Sequence, residues 1–292
     1  MRLRLKKLER QVIVITGATS GIGLSTAKMA AEQGASVVLV SRDAAELRRA
    51  TRAIHRAGGR ATYAVADVTD VEALQEAADT AVREYGCIDS WVNNAGVSVY
   101  GRLEEVPFEA AERVFRTNYW GVVHGSLVAL PHLKRNGGAL INIGSVLSES
   151  AIPLQGHYVA SKHAVKGFTD ALRLELQEER APVSVTLVEP AAADTQEPHR
   201  FGRHRDVEPT YQPPVYAPDL VARAILTAAE RPTRTARVGG GARIFTTVEA
   251  FAPRLGGAMR HQRTVLLGAA AVGVGLALVT RATRPASDDQ AP

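Results

Sequence analysis

Cysteine is nearly missing from this chain of 292 residues: Cys87 stands alone, which excludes an internal disulfide framework and any multi-cysteine metal site. Aromatic residues reach only 5%, and no repeat of solenoid length recurs, so neither an aromatic-rich binding surface nor a repeat array is expected. A secretory leader is not expected either, because the basic opening meets a glycine turn after only Val12–Ile15 and Thr16. No nucleic-acid motif accompanies the basic residues, and no nucleic-acid partner is expected. What is present is an ordinary globular balance, 46% hydrophobic and 22% charged, of a length for one to two domains. The formal charge is +5, and much of the excess lies at the ends. Arg2, Arg4, Lys6, Lys7 and Arg10 open the chain, while Arg254, Arg260, Arg263, Arg281 and Arg284 fall near its close. Such end charges suit an anionic membrane surface.

Short apolar runs alternate with helical stretches. Val12–Thr16, Val37–Val40, Thr62–Ala66, Ser90–Asn93, Ala139–Ile143 and Val183–Val188 read as buried strands. Ala44–Ala57, Val71–Tyr85, a long stretch after Pro107, Tyr158–Glu178 and Pro218–Glu230 read as helices. This alternation predicts an α/β fold, a doubly wound parallel (Rossmann) sheet of about seven strands with helices on both faces and ligands at the strand C-termini. The expected organisation is a basic segment over 1–10, a catalytic domain over 11–250, a linker over 251–263, an apolar helix over 264–280 and a polar tail over 281–292. Within the domain, 194–216 breaks the rhythm with Pro198, Pro209, Pro213 and Pro214, and reads either as a lid loop over a site or as a long surface connection.

Thr16-Gly17-Ala18-Thr19-Ser20-Gly21-Ile22-Gly23 joins the first strand to the first helix. Glycines here allow a tight turn and let backbone N–H groups approach a pyrophosphate at the positive helix end. The second strand closes on Ser41-Arg42-Asp43. A hydroxyl and a guanidinium suit the 2′-phosphate of NADP(H) better than the bare ribose of NAD(H), which is the alternative. Asp43 also fits as the next helix's N-cap. Further along, Tyr158 and Lys162 stand four apart on one helix face, where an ammonium beside a phenol lowers the phenol pKa. Such a tyrosine can exchange a proton with an oxygen during carbonyl–alcohol interconversion. Three more features accompany the pair: Ser145 after a strand, Asn93-Asn94-Ala95-Gly96 at the end of another, and Asn118 in the long helical stretch.

In this order the motifs resemble the short-chain dehydrogenase/reductase family over roughly residues 10–240. The resemblance implies a nicotinamide-dependent oxidoreductase, NADP(H) being favoured by Ser41 and Arg42, with Tyr158 as general acid/base and Lys162 tuning it while holding the nicotinamide ribose. It implies that Ser145 binds the substrate oxygen, that Asn118 holds a relay water, and that Asp67 and Val68 contact adenine. Asn94, Ala95 and Gly96 then line the cofactor pocket, and Pro190 and Thr195 lie toward the carboxamide. Dimers or tetramers through the helices around 109–130 and 158–178 are implied as well. The family's usual Pro-Gly is Pro190-Ala191 here, and an alanine resists positive φ.

A small-molecule carbonyl or alcohol substrate is expected, and the small residues at 191–193 favour an apolar one. Leu147 and Gln155 join Ser145 and Tyr158 as expected contacts, whereas His157 reads as a solvent-facing histidine. No metal is expected. A non-catalytic NADP(H)-binding regulatory or scaffold protein is the rival reading, and epimerisation or dehydration a third. Thr264–Thr280 carries no charge over 17 residues and is flanked by arginines. That length falls slightly short of a bilayer core but is apolar on every side, with small residues at Ala269/Gly273 and Ala271/Gly275. It is read as a membrane anchor for a cytoplasmic catalytic domain.

Overall fold

The computed structural model describes residues 3–191, 202–203 and 216–239. Two compact units divide between Arg243 and Ile244, and every described residue belongs to the first. Its centre is a parallel sheet of seven strands. These are β1 (Val12–Thr16), β2 (Ser36–Ser41), β3 (Arg60–Val65), β4 (Ser90–Asn93), β6 (Gly138–Ile143), β7 (Val183–Pro190) and β9 (Thr235–Val238). They lie in the order β3-β2-β1-β4-β6-β7-β9. The chain builds outward from β1 to β3 and then returns to start the other half at β4. The crevice beyond the C-termini of β1 and β4 is therefore the switch point where such sheets take ligands.

Strand periodicity explains the two-sided burial. Ile13, Ile15, Val37 and Leu39 face one apolar layer, with Ala27 and Ala30 of α1 (Gly21–Glu32), Leu47 and Ile54 of α2 (Ala44–Arg56), and Ile225 of α7 (Pro218–Glu230). Val12, Val14, Val38 and Val40 face the other, with Leu74 of α3 (Val71–Tyr85), Leu133 of α5 (Gly121–Asn136) and Leu172 of α6 (Gly156–Glu178). Local signals place the helix ends: Asp43 accepts from the N–H groups of Ala45 and Glu46, Asp70 caps α3, and Gly86 closes α3 at φ 85°.

Three differences from the sequence reading have physical causes. The stretch after Pro107 is not one regular helix. α4 (Phe108–Phe115) runs into a π turn at Arg116–Trp120, where the Gly121 N–H reaches back five residues to the Arg116 carbonyl, and α5 follows. The opening segment, read only for its basic charge, is tied to the sheet domain. Leu8 is buried, the Lys6 ammonium meets Asp89 at 2.6 Å, and the Leu8 N–H donates to Glu230. A short parallel pair, β5 (Val99–Tyr100) with β8 (Gly202–Arg203), also falls partly inside the segment read as a loop. Among the described residues no helix is long and apolar enough to cross a membrane. The apolar helix expected over 264–280 lies outside the described residues, as do Thr195 and most of 194–216.

Candidate active site

The glycine loop is shaped by close approach. Gly17 (φ +64°) and Gly21 (φ +51°) adopt backbone that side chains avoid. A Cβ on Gly23 would stand 2.3 Å from the Gly17 carbonyl oxygen and 2.6 Å from Asn94 Nδ2. The turn is pinned to the 93–96 segment. Thr16 Oγ1 accepts from the Asn94 and Ala95 N–H groups at 2.9 and 3.1 Å and donates to the Val92 carbonyl. Asn94 Nδ2 donates to the carbonyl of Thr16 at 2.9 Å and that of Gly17 at 3.3 Å. Ser20 holds the N-cap position of α1 without a side-chain bond to it, and no acid stands in the first turn. A cradle of this kind, bare of Cβ atoms at the start of a helix, fits a pyrophosphate. Ile22, by contrast, leans against the core beneath.

At the end of β2 the Ser41 hydroxyl lies 3.2 Å from that of Thr19. Arg42 projects outward and pairs with Asp67 at 3.6 Å. Asp67 feels burial, which raises its pKa, but the Thr69 N–H and hydroxyl together with the Arg42 charge outweigh it and hold the carboxyl below its usual range. Asp43 is occupied in capping α2. Val68 is buried against Gly121, where any Cβ would meet it at 2.6 Å.

The residues expected at the reacting centre converge. Lys162, on α6 and nearly buried, donates to the Ile143 carbonyl at 2.8 Å, two residues before Ser145. Its Nζ lies 5.7 Å from the centroid of the Tyr158 ring. A Cβ on Gly96 would sit 3.4 Å from Asn118 Oδ1 and 3.9 Å from Lys162 Nζ, so the 93–96 segment, the π turn and α6 meet at one point. Asn118, fully buried, donates to the Val97 carbonyl at 2.9 Å and to Ser161 Oγ at 3.0 Å, and its Oδ1 accepts from the Val97 N–H at 2.8 Å. Ser145 starts a single turn over Val146–Ser148, and its Oγ accepts from the Leu147 N–H at 3.1 Å. The Ser148 hydroxyl returns the bond by accepting from the Ser145 N–H. Leu147 is buried, and Gln155 holds the N-cap of α6 after Leu154, whose φ is +67°.

Two expectations change here. His157 was read as facing solvent, but its Nε2 is buried and has no hydrogen-bond partner among the described residues. Ala191 does not sit at positive φ among the described residues. Its N–H bonds the Val238 carbonyl at 2.9 Å and extends the β7–β9 pairing past Pro190, so alanine is accommodated.

The sequence reading missed two polar networks. Asn93 Nδ2 donates to Asn142 Oδ1 at 2.9 Å, and Asn142 Nδ2 donates to Thr169 Oγ1 at 3.0 Å, joining β4, β6 and α6 under the site. The second joins Glu149, Arg237 and Glu189. Their signal was available: an asparagine or glutamate inside an otherwise apolar strand must find a partner.

With this geometry in place, comparison with known proteins gives one direction. Residues 11–205 match the sequence profile of the short chain dehydrogenases. An uncharacterized oxidoreductase of Bacillus subtilis, YxnA, is 43% identical over 257 residues, spanning 87% of this chain and 72% of its own. A short chain dehydrogenase/reductase of Burkholderia phymatum, solved with NAD, superposes with a TM-score of 0.76 at 28% identity, over 84% of this chain and 94% of that one. An alcohol dehydrogenase of the archaeon Thermococcus sibiricus, solved with 5-hydroxy-NADP, gives 0.67 at 28% identity, over 78% and 94%.

Proposed function

Because this chain belongs to the short-chain dehydrogenase family and is an oxidoreductase, we propose that it interconverts an apolar carbonyl compound and its secondary alcohol using NADP(H), with Tyr158 as the proton donor and acceptor. The observation that carries this reading is the meeting of Gly96, Asn118, Lys162 and the Ser145 turn at the switch point. When bound, the nicotinamide cofactor supplies or accepts the hydride.

The chain's own residues do the rest. Lys162, anchored by the Ile143 carbonyl, keeps a buried ammonium beside the Tyr158 ring, and its charge favours the phenolate when the proton leaves. Ser145 Oγ accepts from Leu147, which leaves its own proton to donate to the substrate oxygen. Both amide protons of Asn118 are committed to Val97 and Ser161, so its backbone carbonyl in the π turn is the group to hold a relay water. Gly17, Gly21 and Gly23 admit the pyrophosphate, while Asp67 and Val68 flank the adenine. Arg42, Ser41 and Thr19 favour a 2′-phosphate, since together they offer a guanidinium and two hydroxyls, and Asp43 Oδ1 is taken up by the cap of α2. Pro190 and Thr195 are assigned to the carboxamide end. Leu147, Ala191 and Gln155 form the substrate side.

Exposed Trp120 and Leu127 on the π turn and α5, with Leu174 on α6, favour a homo-oligomer built on these helices. The uncharged run at 264–280 favours attachment to a membrane, on its sequence alone.

The test is NADPH oxidation by the purified protein across a panel of apolar ketones and aldehydes, with NADH and Tyr158→Phe as controls. Turnover that requires NADPH and falls at least a thousandfold in the variant supports the assignment. Tight NADPH binding without turnover of any carbonyl favours the rival reading of a regulatory binder, and absence of cofactor binding refutes both.

A further inference from the structure

Glu189 ends the apolar part of β7, immediately before Pro190, and is completely buried. Neither carboxylate oxygen has a hydrogen-bond partner among the described residues. The β7–β9 register places Arg237 opposite it, and Arg237 Nε lies 3.2 Å from Glu189 Oε2 as a charge contact. The same guanidinium reaches the other way, with Nη2 2.9 and 3.0 Å from the two oxygens of Glu149. Glu149 is the residue that leaves the Ser145–Ser148 turn. Lys166 of α6 is the second cation near Glu189. Stability alone does not favour this arrangement, because a buried carboxylate beside another carboxylate costs more than an apolar side chain would. What it does accomplish is mechanical: a planar fork joins three separate segments, the exit of the Ser145 turn, the end of β7 and β9.

We infer that Arg237 is a positioning residue, whose guanidinium bridges Glu149 and Glu189 and thereby fixes the Ser145 turn against the Pro190 segment. The inference rests on the reading that these two segments flank the reacting atoms, and its test is built to fail separately from that reading.

Hydrogen exchange of the full chain reads the bridge without any substrate. In Arg237→Met, peptides covering 145–150 exchange at least tenfold faster, peptides of β1 are unchanged, and Arg237→Lys recovers most of the protection. Glu149→Gln, a change on the outer side of the bridge, loosens the same peptides. In turnover, Arg237→Met and Glu149→Gln lower kcat for the best ketone at least tenfold while the affinity for NADPH stays within threefold. Glu189→Gln, which removes the only carboxyl of the Glu149–Arg237–Glu189 bridge pushed up to about 7, flattens the pH dependence of kcat there. Unchanged exchange at 145–150 in both Arg237→Met and Glu149→Gln overturns the inference. So does an unaltered kcat in a protein whose turn has loosened. Undiminished turnover in Ser145→Ala would instead overturn the reading of the site itself.

Discussion

Replacing Glu189 by glutamine changes the way stability depends on pH, by an amount the structure sets. Burial pushes this carboxyl from the ordinary 4.5 up to about 7, and the neighbouring Glu149 adds to the rise, while Arg237 and Lys166 only partly oppose it. In the unfolded chain the group titrates near 4.5. Between these values the folded protein holds a proton that the unfolded chain releases, so folding is favoured at low pH and loses ground as pH rises. The full gap is worth about 3 kcal/mol. Glutamine keeps the shape and never ionises. Urea unfolding of both proteins at intervals from pH 5 to 9 therefore shows the wild type losing about 3 kcal/mol relative to Glu189→Gln, with the loss complete by pH 8. Asp67 and Asp170, whose pKa values are lowered by their partners, push stability the other way, but equally in both proteins. A difference that stays flat within ~0.5 kcal/mol across the range refutes the burial argument, because the carboxyl would then titrate alike in both states.

Other perturbations follow from single contacts. Gly125→Ala brings a Cβ to 2.1 Å from Asn93 Oδ1 and 2.9 Å from Trp91 Nε1, and costs about 3 kcal/mol in urea unfolding as α5 is forced off β4. Gly23→Ala, with its Cβ 2.3 Å from the Gly17 oxygen, raises the Kd for NADPH at least a hundredfold in fluorescence titration while the protein stays folded. Arg42→Leu raises the Kd for NADPH by ten- to hundredfold and leaves that for NADH within threefold, as a lost cation–phosphate contact requires. Equal effects on the two cofactors would remove Arg42 from the 2′-phosphate site.

The sheet was legible because its strands are short, apolar and closed by glycine or a capping acid, signals that act within a few residues. The glycine loop, Ser145, Tyr158 and Lys162 were legible because each sits at a strand end or on one helix face, where topology brings them together. The Glu149–Arg237–Glu189 bridge was not, because it depends on the register of β7 against β9, and β9 itself was not recognised. Thr235–Val238 is four residues of mixed polarity and is a strand because β7 presents it with an edge. The partner of Lys6 was not legible either: the basic opening was read for its charge alone, and Asp89 lies 83 residues away. His157 was assigned by the usual preference of histidine for water, which burial of its Nε2 overrides.

The π turn at Arg116–Trp120 also bears on how this chain tolerates insertion and deletion. One surplus residue in a helix advances everything after it by about 100° around the axis. The turn lies between two packing duties: Ala111 and Val114 of α4 join Val99 and Val106, whereas Leu133 of α5 packs in the layer beneath the sheet. Deleting Tyr119 would produce a more regular helix by every local measure. It would also swing Gly125 away from Asn93 and bring an exposed residue against β4. A lineage that lost this residue would have to rewrite the whole inward face of α5 at once, so the irregular turn is held in place by the regular helix that follows it.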